Sequence, residues 1–469
     1  ESRFLPVTCY LLPVTCYLQP YKDHSMFIAN TQKDREEMLK AIGASSIKEL
    51  LKQVPAKFLY PAFDLPGTSL DEQQTARRMK TLAAANTPVL SFLGAGAYER
   101  YIPAAVKALI SRGEYLTAYT PYQAEASQGI LQTIYEYQSS VCALYAMDCA
   151  NASLYDGASA FGEAVRAAVR VTGKKKVLCQ ETLNPQYLAT LKTYFANSKD
   201  YRFVTVPQKD GLMDADKLAA LLDADTTCVA FQTPNFFGLM EDAHKSSGAA
   251  HAAGALVVAA ADPASLGLFS PPGEYGADFA VGEGQSLGLP LSYGGPYLGI
   301  FACKKEYVRQ MPGRIAGLTR DKDGKRGFVL TLQAREQHIR RDKAACNICS
   351  NEALCALSAT IYLALLGPEG LKELGLANAG AAAFAAQKLA SVGAGLKFKA
   401  PFFNEFVLDV GRDAALLREK VLAKERIDIG LPLEDLYPAL GPGALLVCAT
   451  ETKTGEDILR LEKALRVNI

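Results

Sequence analysis

Short, uniformly apolar runs recur along the middle of the chain at residues 152–155, 177–179, 203–206, 228–231, 256–260, 279–281 and 298–302. They lack the alternation of a half-exposed strand, so each predicts a strand covered on both faces within a parallel sheet. Amphipathic stretches at 158–171, 184–196, 214–222 and 240–253 fall between them and predict crossover helices. Alternation of this kind builds one large α/β domain around a mostly parallel seven-stranded sheet, here over residues 91–340.

The flanks follow other patterns. Residues 26–90 predict a helical arm: Met38, Leu39 and Ile42 share one face, Gly43 stops that helix, and capping boxes at Ser46–Glu49 and Ser69–Glu72 open two more, the last running to Ala85. Residues 341–469 predict a smaller α+β domain, with strands at 405–410 and 444–450 and helices at 414–423 and 455–465. Within it the apolar run 353–368 is interrupted by Ser358 and Thr360 and bounded by Glu352 and Glu369. That falls short of the roughly 20 residues a bilayer requires, and predicts a buried helix. At the other end, LPVTCYL at residues 5–11 repeats once at 12–18. Two copies are too few for a solenoid, and no signal-peptide pattern is present. Residues 1–25 are therefore expected to be an upstream or non-native segment, with Met26 the natural start.

Charge narrows the function classes. Fifty basic residues against 49 acidic ones leave a 469-residue chain almost neutral, without the excess that draws a protein to nucleic acid or an anionic membrane. Hydrophobic residues at 49% and charged residues at 21% fit a folded enzyme. Eleven irregularly spaced cysteines predict reduced thiols and a cytoplasmic setting.

Ligands of open α/β sheets sit beyond the carboxyl ends of the strands, and three such ends stand out. Asp156 and Ser159 belong to a strand-to-helix turn, Tyr155-Asp156-Gly157-Ala158-Ser159-Ala160, which suits a phosphate or a plain helix cap. Asp262 ends an alanine-rich strand, where a carboxylate can pair with a protonated pyridine nitrogen or cap a turn. Gly282-Glu283-Gly284-Gln285 follows the next strand. A phosphate-type turn, a strand-end Asp and a third loop in this order resemble the fold type I pyridoxal-phosphate enzymes, whose lysine in that loop forms the Schiff base. Here Gln285 stands at that point, and no lysine occurs between Asp262 and Lys304.

Longer stretches sharpen the resemblance. Gly94-Ala95-Gly96-Ala97-Tyr98, the segment from Tyr119-Thr120-Pro121-Tyr122-Gln123 to Gly129, Asn151-Ala152-Ser153-Leu154, Gly282-Glu283-Gly284-Gln285, Gln310-Met311-Pro312-Gly313-Arg314, the run from Thr331 to Arg340 and Ala444-Leu445-Leu446-Val447-Cys448 together resemble the first-subunit branch of the glycine dehydrogenase (decarboxylating) family, the P-proteins of the glycine cleavage system, over residues 26–469. The resemblance implies a heteromeric enzyme in which a homologous subunit 2 carries the lysine and holds pyridoxal phosphate, with two copies of each subunit. Glycine would be decarboxylated on that cofactor and its aminomethyl group passed to the lipoyl arm of the H-protein. No cofactor would be covalently bound to this chain; Asp156, Ser159, Asp262 and Gln285 would be remnants of a cofactor pocket. Tyr98, Thr120, Tyr122 and Gln123 would line the shared active site from this side or simply pack within the subunit. A scaffold that holds subunit 2 without shaping its pocket, and a self-sufficient enzyme using Lys304 or Lys305, are the rival readings.

Other conspicuous residues have plain explanations. Cys346, Cys349 and Cys355 suggest a metal spacing but lack a second ligand pair, so no metal site is expected. The cations Arg309, Arg314, Arg320, Arg326, Arg335, Arg340, Arg341 and Lys343 form a solvated or self-paired face, an inter-subunit contact or a dock for an acidic carrier. His244 and His251, seven apart, are expected to be structural.

Overall fold

The computed structural model describes residues 30–59, 70–198 and 200–469. The chain divides into two compact units, Glu1–Asn86 and Thr87–Ile469. The 1–25 repeat and Ser69 lie outside the described residues. In the first unit, helix α1 (Gln32–Ala41) is capped by Thr31, whose hydroxyl accepts from Asp34 N while Asp34 reaches back to Thr31 N. Helix α2 (Glu72–Ala84) is capped by Asp71 in a box with Gln74. The expected box at Ser69–Glu72 thus sits two residues further on, because Asp71 holds the orphan amide of Gln74 at 2.7 Å.

The second unit is built on seven strands: β1 (Cys149–Ala150), β2 (Lys176–Gln180), β3 (Arg202–Val206), β4 (Thr226–Gln232), β5 (Leu256–Ala260), β6 (Phe279–Glu283) and β7 (Gly299–Cys303). Across the sheet the order is β1-β7-β6-β5-β4-β2-β3. The five from β3 to β6 run parallel, β7 is antiparallel to β6, and β1 is antiparallel to β7. This is the mixed, mostly parallel sheet the apolar runs predict, with one displacement. The strand expected at 152–155 is instead Cys149–Ala150. Asn151 turns its side chain onto Pro312 O and Ser153 N, and Ser153 takes a φ of 98°. Together they pull the chain off the ladder and leave a single bridge, Leu154 to Gly299.

Helix α3 (Gln128–Tyr145) and helix α4 (Gly157–Thr172) precede and follow this irregular stretch. Phe161, Ala164, Val165 and Ala168 of α4 are wholly buried against the sheet and against Leu191 of helix α5 (Pro185–Tyr194). The expected apolar helix becomes the first half of α6 (Ala353–Ala390). It breaks at Gly367, φ 60°, before Pro368, as a ring without an N–H requires. Tyr362 in the first half packs with Tyr145 and Leu287; Ala382, Ala385 and Leu389 in the second half pack into the carboxyl-terminal core. By length and composition alone α6 could cross a membrane, but the break and the two cores account for its apolar character. The carboxyl-terminal core also holds strand β8 (Glu405–Asp409) beside β9 (Ala444–Cys448), paired antiparallel. A hairpin of Ile315–Arg320 with Arg326–Thr331 was not legible in the sequence, because the first strand runs from buried to exposed along its length, with Leu318 exposed, and does not alternate.

Candidate functional site

The carboxyl ends of β5 and β6 and the amino end of α4 meet around a small cleft lined by Tyr98, Asn184, Tyr187, Gln232, Asp262 and Glu283, among others. Gln285 is 1% exposed. Its amide is fully used: Oε1 accepts from Tyr98 N at 2.9 Å, and Nε2 donates to Tyr98 O at 3.0 Å and Leu289 O at 2.8 Å. Gln285 therefore acts as a strut between two backbone segments, with no polar atom left for a ligand.

The phosphate-type turn is also engaged. Asp156 caps α4, accepting from Ser159 N at 2.7 Å, while Ser159 Oγ accepts from Asp156 N at 3.1 Å. The amide next to them, Gly157 N, donates to Glu283 Oε2 at 2.9 Å, and Glu283 Oε1 accepts from Gln285 N at 2.9 Å and Leu298 N at 3.1 Å. A carboxyl group already sits on this helix amino terminus, and it belongs to the chain itself. Burial pushes the Glu283 carboxyl up to about 7, against the lowering effect of the three amides. From the other side the Tyr187 hydroxyl closes on Gly157 so tightly that a Cβ there would lie 2.0 Å from it.

Asp262 is half-buried beside this turn. Its Oδ1 accepts from Ala264 N at 3.0 Å and Ser286 Oγ at 3.3 Å, while Oδ2 lies 3.7 Å from Arg100 Nη2 and has no hydrogen-bond partner. Burial raises its carboxyl above the ordinary range, and Arg100 only partly offsets this. Arg100 Nη1 bonds Glu451 at 2.9 Å and also Asn378, and the guanidinium lies 5.1 Å from the Tyr98 ring. Tyr98 in turn donates its hydroxyl to Glu405 Oε2 at 2.7 Å, and Glu405 Oε1 takes Ala95 N at 2.6 Å. Burial raises Glu405 to about 7 as well.

Pyridoxal phosphate does not fit these residues. The amide of the Asp156–Ser159 turn is taken by Glu283, the Gln285 amide is bonded to the backbone, and the cleft leaves about 30 Å³ of free volume, room for a water or two. Glu283 links the Asp156–Ser159 turn to Gln285 N, and Ser286, the next residue, bonds Asp262, so these expected residues are neighbours in the fold.

The remaining expected residues separate. Tyr98 is buried with Gln285 and Glu405, whereas Tyr122 is 54% exposed. Its hydroxyl accepts from Arg314 Nη2 at 3.0 Å, its ring lies 5.4 Å from that guanidinium, and His338 stands edge-on at 6.2 Å. Thr120 is half-buried and Gln123 exposed beside it. Among the thiols, Cys346 accepts from Gly313 N at 3.4 Å while Cys349 is exposed; the described residues contain no cluster of three or more metal-type ligands. His251 pairs with Asp278 at 2.9 Å, and His244 stands edge-on to Tyr275. Sequence reasoning missed Glu283, Tyr187, Arg100 and Glu405 as members of the site. Glu283 lay inside a quoted motif and could have been found as the carboxylate nearest the turn. Glu405 lies 307 positions from Tyr98, and nothing local marks it.

Comparison with known proteins places this geometry. Residues 25–465 match the profile of the family described as "Glycine cleavage system P-protein". The chain is 48% identical over 439 residues to "Probable glycine dehydrogenase (decarboxylating) subunit 1" of Desulfitobacterium hafniense, covering 93% of this chain and 98% of that protein. Among solved structures it is similar to a glycine decarboxylase (P-protein) of the glycine cleavage system in inhibitor-bound form, with a TM-score of 0.87 and 43% identity over 95% of this chain and all of that one. A NifS-like protein shares the fold alone, with a TM-score of 0.61 and 14% identity over 81% of this chain and 99% of the other.

Proposed function

The chain belongs to the glycine cleavage system P-protein family, with the fold of type I pyridoxal-phosphate enzymes, and we propose that it is the subunit of a heteromeric, cytoplasmic glycine decarboxylase that carries no cofactor of its own. A homologous subunit 2 supplies the lysine and holds pyridoxal phosphate, which when bound withdraws electrons from the substrate as carbon dioxide leaves. Glycine is the substrate, and the lipoylated H-protein accepts the aminomethyl group, an aminomethyl-transferring glycine dehydrogenase activity. Gln285 carries this reading. A primary amide does not condense with an aldehyde, and this one is held by three hydrogen bonds.

The part left to this chain is to complete the partner's pocket. The Thr120–Gln123 loop, whose Tyr122 and Gln123 are exposed and which the Tyr122–Arg314 pair anchors, is the segment we assign to that surface. Tyr98 contributes from within by fixing Gln285. The self-sufficient alternative finds little support. β7 pairs with β6 so that Gly299 is opposite Glu283 and Cys303 opposite Phe279. Lys304 therefore emerges at the far end of the sheet from Gln285, where its Nζ pairs with Asp278 at 2.5 Å.

Co-expression with a subunit 2, scored by co-purification and by glycine–bicarbonate exchange in the presence of H-protein, tests the proposal. Exchange is expected only from the complex, with borohydride trapping a pyridoxyl-lysine on subunit 2 alone. A labelled lysine on this chain, with turnover in isolation, would overturn it.

A further inference from the structure

A second cavity, of about 340 Å³, opens between the carboxyl end of α4, the turn Lys305–Gln310 and the loop 332–345. It shares no residue with the cleft at Gln285. Five of the side chains lining it are cationic, Arg170, Arg309, Arg335, Arg340 and Lys343, and none is acidic. Arg170 and Arg335 form the half-buried floor, and main-chain oxygens hold them in place. Arg170 Nη2 donates to Gln310 O at 2.8 Å; Arg335 Nε donates to Leu332 O at 3.0 Å and Nη2 to Gly313 O at 2.8 Å, with Nη1 on Met311 O. A neutral carbonyl fixes the direction of a guanidinium without cancelling its charge. The rim residues Arg309, Arg340 and Lys343 are exposed.

The nearby acids are committed elsewhere. Glu163 turns to Arg166 at 3.4 Å, and Glu336 to Arg314 at 3.8 Å and His338 at 3.6 Å. Asp342 is exposed and outside the lining. Burial holds both floor guanidiniums below their ordinary range, and Glu163 offsets this only in part for Arg170. The positive charge here faces a concave surface with no acidic side chain in its lining.

We propose that this cavity binds a small, multiply charged oxyanion of the phosphate or pyrophosphate class. Arginine forks match phosphate oxygens in pairs, and the volume falls in the range of small-molecule sites. A concave floor with an exposed cationic rim suits an anion that enters, in preference to an acidic protein surface that lies flat. The inference does not depend on the function proposed above.

Calorimetric titration of the full chain with sodium pyrophosphate, with orthophosphate as the weaker comparison, tests it. Saturable one-to-one binding that weakens with added salt is expected. Arg340→Ala/Lys343→Ala, which changes only exposed rim side chains, should weaken it about tenfold, whereas Lys322→Ala/Lys325→Ala on the exposed hairpin turn should leave it unchanged. Equal weakening by both double variants would overturn the proposal in favour of diffuse charge attraction. So would the absence of saturable heat, which would return these cations to a protein partner's acidic surface.

Discussion

Gln285 and Tyr98 exchange a pair of hydrogen bonds, Tyr98 N–H to Oε1 at 2.9 Å and Nε2 to Tyr98 O at 3.0 Å, so that a side chain closes the kind of two-bond ring normally made between strands. The loop at 98 and the end of β6 are joined by this one amide.

Restoring a lysine at this position should therefore fail to restore a cofactor enzyme. Gln285→Lys leaves Tyr98 N–H without an acceptor and buries an ammonium, which together should cost about 3 kcal/mol or more. Urea unfolding should register the loss, and the purified variant mixed with pyridoxal phosphate should show no new visible absorption band.

Removing the internal carboxyl should expose the turn it covers. Glu283→Ala strips the acceptor from Gly157, Gln285 and Leu298 amides, with an expected loss of about 3 kcal/mol. Inorganic phosphate should recover part of that loss by binding the folded state. Measured in the Arg340→Ala/Lys343→Ala background, the midpoint of the Glu283→Ala chain should rise with phosphate, while that of the chain retaining Glu283 should not.

Space at the same turn can be probed directly. A methyl group at Gly157 meets the Tyr187 hydroxyl at 2.0 Å, so Gly157→Ala should destabilise by about 1–3 kcal/mol. Adding Tyr187→Phe should return part of the stability, a non-additivity that thermal unfolding of the two single variants and the double variant would reveal.

Stability should fall as pH rises towards neutrality. Glu283 and Glu405 are both held near 7 by burial, above the ordinary 4.5, so the folded chain binds these protons more tightly than the unfolded one. Their protonated forms are favoured below the folded value, and the penalty for ionising them grows from about pH 5 to about pH 8, on the order of 3 kcal/mol each. Glu405→Gln keeps an acceptor for Ala95 N and removes the charge, so the difference in urea midpoint between pH 5.5 and 8 should shrink. An unchanged difference would contradict the assignment.

Tyr122→Ala separates a pocket-completing subunit from a passive scaffold. The side chain is 54% exposed, so its loss should move stability by about 1 kcal/mol or less. Glycine–bicarbonate exchange by the assembled enzyme should nevertheless drop severalfold; unchanged kinetics with normal co-purification would favour the scaffold.

The sheet was legible because burial on both faces leaves continuous apolar runs, and six of the seven strands fall where those runs lie. The seventh moved because Asn151 and Ser153 divert the backbone through side-chain bonds, an effect periodicity does not register. At the site, Asp156, Asp262 and Gln285 were legible from their places at strand ends. Glu283 was visible as a letter but not as an anion, because its role depends on the amide of Gly157, 126 residues away. Arg100, Glu405 and Glu451 converge from distant segments, and only the fold brings them together.

The carboxylate seated on α4 also bears on how such a chain could change over time. A single substitution that supplied an amine at 285 would still meet the Glu283 carboxyl on the turn, and one that removed the carboxyl would find no amine. Each step alone lowers stability without opening the pocket, so Glu283 closes this cleft as firmly as Gln285 does.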